Sequence, residues 1–214
     1  MTKDERITAI SVRHSSFVIN WTFDIHHSSF RDAGAFAIIE LLVVIAIIII
    51  LGSLILSTVG YVQKKGARAR AEAEIAAMSA ALESYKADNG IYPTDSNTNA
   101  LKPNTMGDPA QTTYQYASRS LYKSLSGDSD NDANRIDESK SYFPFKPNQL
   151  SPATREQAVT FIRDPFGNSY GYSTMKNSNP SGSDGYNPTF DLWSTSGVIN
   201  TSTTPDQTQW IKNW

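Results

Sequence analysis

Residues 36–59, FAIIELLVVIAIIIILGSLILSTV, constrain this chain more than any other stretch. The run is 24 residues long and carries one charge, Glu40. As a helix rising 1.5 Å per residue it reaches about 36 Å, enough to cross the ~30 Å hydrocarbon layer of a bilayer. A carboxylate inside such a run is costly, which makes Glu40 a candidate functional group. Apart from this run and the 35 residues before it, about 155 of the 214 residues remain, enough for one modest domain.

Composition narrows the chemistry. Nineteen Lys and Arg against 21 Asp and Glu give a net charge of −2, which offers no basic face for nucleic acid. The absence of cysteine excludes disulfides, thiolate chemistry and cysteine-ligated zinc. The three histidines, His14, His26 and His27, all precede residue 36. They sit in an imperfect repeat, Arg13-His14-Ser15-Ser16-Phe17 and His26-His27-Ser28-Ser29-Phe30. A metal could be held there, but a discarded leader is the favoured reading of residues 1–35. A chain cut before residue 36 has no His and no Cys, so Ser/His/Asp and Cys/His catalysis are closed to it. Ser–Lys or paired-carboxylate chemistry stays open, but no spacing points to it. The chain therefore reads as non-enzymatic.

Helical character continues past the apolar run. Ala71, Ile75, Met78, Leu82 and Tyr85 fall at 4-3-4-3 spacing, which makes one stripe on a helix. Asn89-Gly90 supplies a left-handed end and Pro93 blocks continuation. One helix over residues 36–88 is predicted, about 80 Å long. The stripe is read as core. Residues 94–160, rich in Asn, Asp, Ser, Thr and Pro, read as a variable connection with one helix near 116–125. Residues 166–174 and 189–194 alternate aromatic and polar side chains and read as strands, joined by a loop at 176–188.

The segment from Gly34 and Ala35 through Phe36-Ala37-Ile38-Ile39-Glu40-Leu41-Leu42-Val43-Val44-Ile45-Ala46-Ile47-Ile48 resembles the processing and assembly motif of type IV pilins and type II secretion pseudopilins. Residues 71–94, ending Tyr85-Lys86-Ala87-Asp88-Asn89-Gly90-Ile91-Tyr92-Pro93-Thr94, resemble the major pseudopilin branch. Asp164-Pro165-Phe166-Gly167-Asn168-Ser169-Tyr170-Gly171-Tyr172, Phe190-Asp191-Leu192-Trp193-Ser194 and the ending Ile211-Lys212-Asn213-Trp214 resemble the pseudopilin C-terminal sheet. The resemblance implies an α+β, pilin-like lollipop with a small antiparallel-sheet head. Its divisions are a leader at 1–35, a transmembrane half-helix at 36–59, an amphipathic half at 60–89 and a head at 90–214.

The family's roles carry over residue by residue. Gly34, Ala35 and Phe36 match the prepilin cleavage site, with the cut placed before Phe36 and the new terminus N-methylated. Ala35 stands where most members have Gly. Cutting after Gly34 would move Glu40 out of register. Glu40 matches the carboxylate that neutralises the terminal amine of Phe36 on a neighbouring subunit during filament assembly. Two positions depart from the family: Ile49 replaces a usual Gly, and Ser57 a frequent Pro. Gly52 and Gly60 are the candidates to loosen the helix in their place.

Asp128, Asp130, Asp132 and Asn134 put oxygen side chains at alternate positions, like a calcium loop of EF-hand or dockerin type. Ala133 stands where the loop's Gly belongs, and Ser139 where a bidentate Glu is expected, with Asp137 or Glu138 as substitutes. A solvated acidic turn is the competing reading. Pseudopilins of this branch commonly bind calcium between the last strand and the C-terminus. Those acids are unmatched at Thr195-Ser196-Gly197, and Asp206 alone is nearby.

The resemblance implies a structural subunit of a type II secretion pseudopilus that requires no cofactor, with calcium as the one candidate. Its implied partners are itself, the prepilin peptidase, the inner-membrane assembly platform and minor pseudopilins. The implied location is the bacterial inner membrane with the head in the periplasm. The basic residues Lys64, Lys65, Arg68 and Arg70 would by themselves place residues 60–214 in the cytoplasm; the resemblance places them on the other side and is followed here. Two alternatives stay open: a type IV pilin of an extracellular fibre, and a membrane-tethered calcium- or ligand-binding module that does not polymerise.

Overall fold

A computed structural model of the chain describes residues 38–132, 139–154 and 156–214. The backbone divides into two compact units, Met1–Ile49 and Ile50–Trp214. Helix α1 (Ile38–Asn89, 52 residues) contributes to both. In the first unit the described residues are helical and exposed throughout. α1 runs without interruption through Gly52 and Gly60, and a Cβ on either would meet nothing within 4 Å. Neither glycine packs against this chain.

The second unit builds its core on the predicted stripe. Ala71, Ile75, Met78 and Leu82 are buried, Tyr85 packs at their edge, and Ala81 joins them. α1 ends where the sequence indicates: Gly90 adopts φ 79° and its N–H donates to the Lys86 carbonyl at 2.7 Å. The chain then forms α2 (Ser96–Ala100), α3 (Thr112–Ser126), the short strands β1 (Leu150–Ser151) and β2 (Phe161–Ile162), strand β3 (Gly171–Ser173), α4 (Met175–Ser178), and strands β4 (Asp191–Ser194) and β5 (Ile211–Lys212). The fold class is α+β. β3, β4 and β5 make an antiparallel sheet in that order, with Tyr172 opposite Leu192 and Ser194 opposite Ile211. β1 and β2 pair separately.

Several elements differ from the sequence reading. α3 begins at Thr112, earlier than the predicted 116, because Tyr114 and Ala117 bury against Trp193 and extend its apolar face. The predicted strand at 166–174 narrows to Gly171–Ser173. Its first half is a tight turn instead: Asp164 Oδ1 accepts from the backbone N–H groups of Phe166 at 3.0 Å and Asn168 at 2.8 Å, and Gly167 takes φ 93°. The region 94–160, read as a connection with one helix, also contains α2 and β1. Asp95 starts α2 with a capping box, accepting from Thr98 N–H at 2.8 Å while its own N–H donates to Thr98 Oγ1 at 2.9 Å.

Candidate functional site

Three parts of the chain were singled out by sequence: the start of the long helix, the acidic loop after α3, and the loop between β4 and β5. Gly34, Ala35, Phe36 and Asn134 lie outside the described residues. Glu40 stands in the first turn of α1 and is exposed, among Ile38, Ile39, Leu41, Leu42, Val43 and Val44, which are exposed too. The large apolar side chains from Ile38 to Val62 are between 42% and 85% exposed. This helix is long and apolar enough to cross a membrane. So large an apolar surface is stable only when lipid or another apolar helix covers it. Ser53 keeps its hydroxyl within the helix, donating to the Ile50 carbonyl at 2.8 Å.

In the acidic loop, Asp128 is buried. Its Oδ2 accepts the Tyr122 hydroxyl and its Oδ1 the Asn131 N–H, both at 2.8 Å. Asn131, at φ 56°, ties this turn to Val159: its amide donates to the Val159 carbonyl and its Oδ1 accepts the Val159 N–H, both at 2.9 Å. Asp130 is exposed and accepts the Asp132 N–H at 3.0 Å. Among the described residues no group of three or more acidic or imidazole side chains converges on a metal position. Residues 133–138, which carry the other half of this loop, lie outside the described residues.

The loop between β4 and β5 is held by direct contacts. Arg68 Nη1 donates to the Gln209 carbonyl at 2.8 Å, and Gln207 Nε2 to the Pro103 carbonyl at 2.7 Å. Trp210 stacks on Trp193 at 6.0 Å between ring centroids. Asp206 is committed to the Thr208 N–H at 2.9 Å, and this contact holds its carboxyl below the usual range. The residues present do not fit the calcium site usual in this loop: one acid stands here, and hydrogen bonds and ring stacking do the closing.

Two buried carboxylates that sequence reasoning left without a role organise the C-terminal sheet. Asp164 joins its turn to β4 by accepting the Ser194 hydroxyl at 2.5 Å, and burial pushes its pKa up despite three hydrogen bonds that pull it down. Asp191 accepts the N–H groups of Tyr186 at 2.9 Å and Asn187 at 2.8 Å, closing the loop before β4; burial raises its pKa as well. Asp-Pro-Phe-Gly-Asn is a turn signature that could have located the first of these from sequence.

The fold and these contacts can be set beside known proteins. Over 85 residues, 38% of its length, the chain is 35% identical to type II secretion system core protein G of Pectobacterium carotovorum subsp. carotovorum. The chain is similar to a type II secretion core protein. The match covers 54% of that relative, so the chain spans about half the length of the curated protein it matches. No family model and no solved structure matches. The likeness to pseudopilins read from the sequence is thus supported, over part of the chain, by a named secretion protein. The apolar helix and the antiparallel sheet are both features of that pilin-like α+β class.

Proposed function

We propose that the chain is a membrane-anchored structural subunit of the major pseudopilin type, assembling through α1 into a periplasmic pseudopilus of a type II secretion system. The observation that carries this reading is the uncovered apolar surface of α1, with one carboxylate in its first turn. A single span would need only lipid around it. The carboxylate is explained by a partner charge, and the amine of Phe36 on a neighbouring subunit, freed by a prepilin peptidase and methylated, supplies one. The head would then face the periplasm, with an assembly platform and minor pseudopilins as its partners. The similarity to a type II secretion core protein favours this over an extracellular type IV pilus and over a tethered module that never polymerises. Negative-stain microscopy of cells overexpressing the chain tests it. Short helical filaments that disappear with the secretion platform are expected; membrane-extractable monomers alone would overturn assembly.

A further inference from the structure

A cleft of about 720 Å³ opens beside α1, just past the apolar run. Tyr61, Lys64, Lys65 and Arg68 line its helix side, and Phe166 and Gly197 the opposite wall. Its size falls in the range of small-molecule sites. Arg68 is engaged, by the Gln209 carbonyl at 2.8 Å and by Glu72 at 3.5 Å. Lys64 and Lys65 are exposed and make no hydrogen bond or ion pair with any described residue. No acidic residue lines the cleft, whose charged groups are Lys64, Lys65 and Arg68. Tyr61 and Phe166 give it an apolar side.

Position selects the occupant. Lys64 and Lys65 lie five and six residues past Val59, about 7.5–9 Å along a helix. A headgroup layer occupies roughly 5–8 Å on each side of the hydrocarbon, and lysine stems reach back toward it. A tyrosine at Tyr61 suits the same boundary. We propose that this cleft binds the phosphate headgroup of an anionic glycerophospholipid, with Lys64 and Lys65 on the phosphate and Tyr61 and Phe166 against the glycerol and first acyl carbons. Arg68 is a positioning residue: it holds the Gln209 end of the loop that forms the far wall. The inference rests on the membrane-anchored part of the proposed function and not on assembly.

The test is native mass spectrometry of the full chain released from vesicles of equal phosphatidylglycerol and phosphatidylethanolamine, with carbonate extraction run in parallel. Retention of phosphatidylglycerol in preference to phosphatidylethanolamine is expected. That preference should fall about thirtyfold in K64Q/K65Q, since each of the two basic residues at an anionic surface contributes about 1 kcal/mol. An unchanged circular dichroism melt would show that the variant folds. Equal retention of the two lipids, or a preference unchanged in the variant, overturns the lipid site. So does loss of the preference in millimolar inorganic phosphate, which would make the cleft a site for free anions. Unchanged lipid retention with loss of subunit cross-linking in K64Q/K65Q would assign the lysines to a second copy. Failure of the chain to resist carbonate extraction would overturn this inference and the membrane anchor together, whereas extraction-resistant protein without lipid preference would overturn the inference alone.

Discussion

Gly171 sits directly against the indole of Trp193, its partner across the β3–β4 ladder. A Cβ at residue 171 would lie 2.2 Å from Trp193 Cε2. The indole cannot retreat, because its Nε1 donates to the Tyr114 hydroxyl at 2.9 Å and Trp210 stacks on it. G171A should therefore destabilise the head by about 3 kcal/mol through overpacking. A urea melt of the detergent-solubilised chain reads this, and a midpoint equal to that of wild type would show that the sheet gives way freely.

The stability of the α2–α3 contact should depend on acid. Burial raises the Asp95 pKa, but the Ser120 hydroxyl at 2.6 Å, the Thr98 N–H and the Asn97 amide outweigh it and leave the native value below the usual carboxylate range. A lowered native pKa means stability that is present above the unfolded value, near 4, and lost as pH falls through the native value. D95N keeps a capping oxygen but loses the charge that strengthens these hydrogen bonds, so it should cost under about 1 kcal/mol at neutral pH, and the gap from wild type should close as pH falls below about 4. Asp164 has the opposite sign. Its native pKa is raised, so its protonation stabilises the fold as pH falls through that value. Urea midpoints of wild type and D95N across pH 2–7 measure the difference. A gap that stays constant with pH would remove the Asp95 carboxylate as its origin.

D164A should be far worse than D164N. Alanine leaves the Phe166 and Asn168 N–H groups and the Ser194 hydroxyl without their acceptor, a loss of about 2–4 kcal/mol. Asparagine keeps one carbonyl oxygen for the turn and should lose less than half of that. Equal melting temperatures for the two variants would show that the turn does not depend on this acceptor.

How much of this was legible follows from period and length. The stripe from Ala71 to Tyr85 repeats over four turns, and both it and the stop at Gly90 were readable because helical periodicity accumulates over many residues. The two-residue strands at Leu150 and Phe161 have no period to read, and each exists because it pairs with the other. Phe166–Asn168 alternated like a strand, yet Asp164 captured the backbone locally and made a turn. The α2 cap is legible in Asp95-Ser96-Asn97-Thr98, but it lies in a stretch whose polar composition reads as connection. At the candidate site, the placement of Glu40 followed from the apolar run alone. The closure of the loop between β4 and β5 by Arg68 joins residues 141 positions apart, which no local pattern announces.

The mature terminus and Glu40 should act as one unit. N-terminal sequencing of the protein from cells should find Phe36, methylated, and A35G should speed processing. E40A should insert into the membrane and fold its head, but lose filaments, because an incoming amine has no counter-charge in a medium of low dielectric. E40Q should behave like E40A, since the charge and not the shape is required. Filaments of wild-type number in E40Q would overturn the pairing, and a terminus at Met1, at Ala35 or beyond Val59 would overturn the processing site.

Calcium, if it binds the acidic loop, should engage Asp128, Asp130, Asp132 and Asn134. Calcium takes six to eight oxygens at about 2.3–2.6 Å, and alternate oxygen side chains in a tight turn can supply several. The structure makes Asp128 a poor reporter. Its carboxylate already accepts Tyr122 and Asn131, so D128A should destabilise the head with or without metal. D130A/D132A is the informative variant, because Asp130 is exposed and Asp132 half-buried, and neither is among the buried core residues. The Ala at the glycine position and the displaced terminal acid point to a weak site, with Kd of roughly 10⁻⁴–10⁻³ M, as in extracellular modules. Bound calcium stabilises by RT ln(1 + [Ca²⁺]/Kd), about 2.7 kcal/mol at one hundred times Kd and less at accessible concentrations. A thermal melt of the detergent-solubilised chain in millimolar calcium should rise by a few degrees over the same melt in chelator, and D130A/D132A should abolish the rise. An unchanged melting temperature in wild type would remove calcium from this loop. A rise that survives D130A/D132A would place the ion elsewhere, and D206A would then ask whether the loop between β4 and β5 holds it after all.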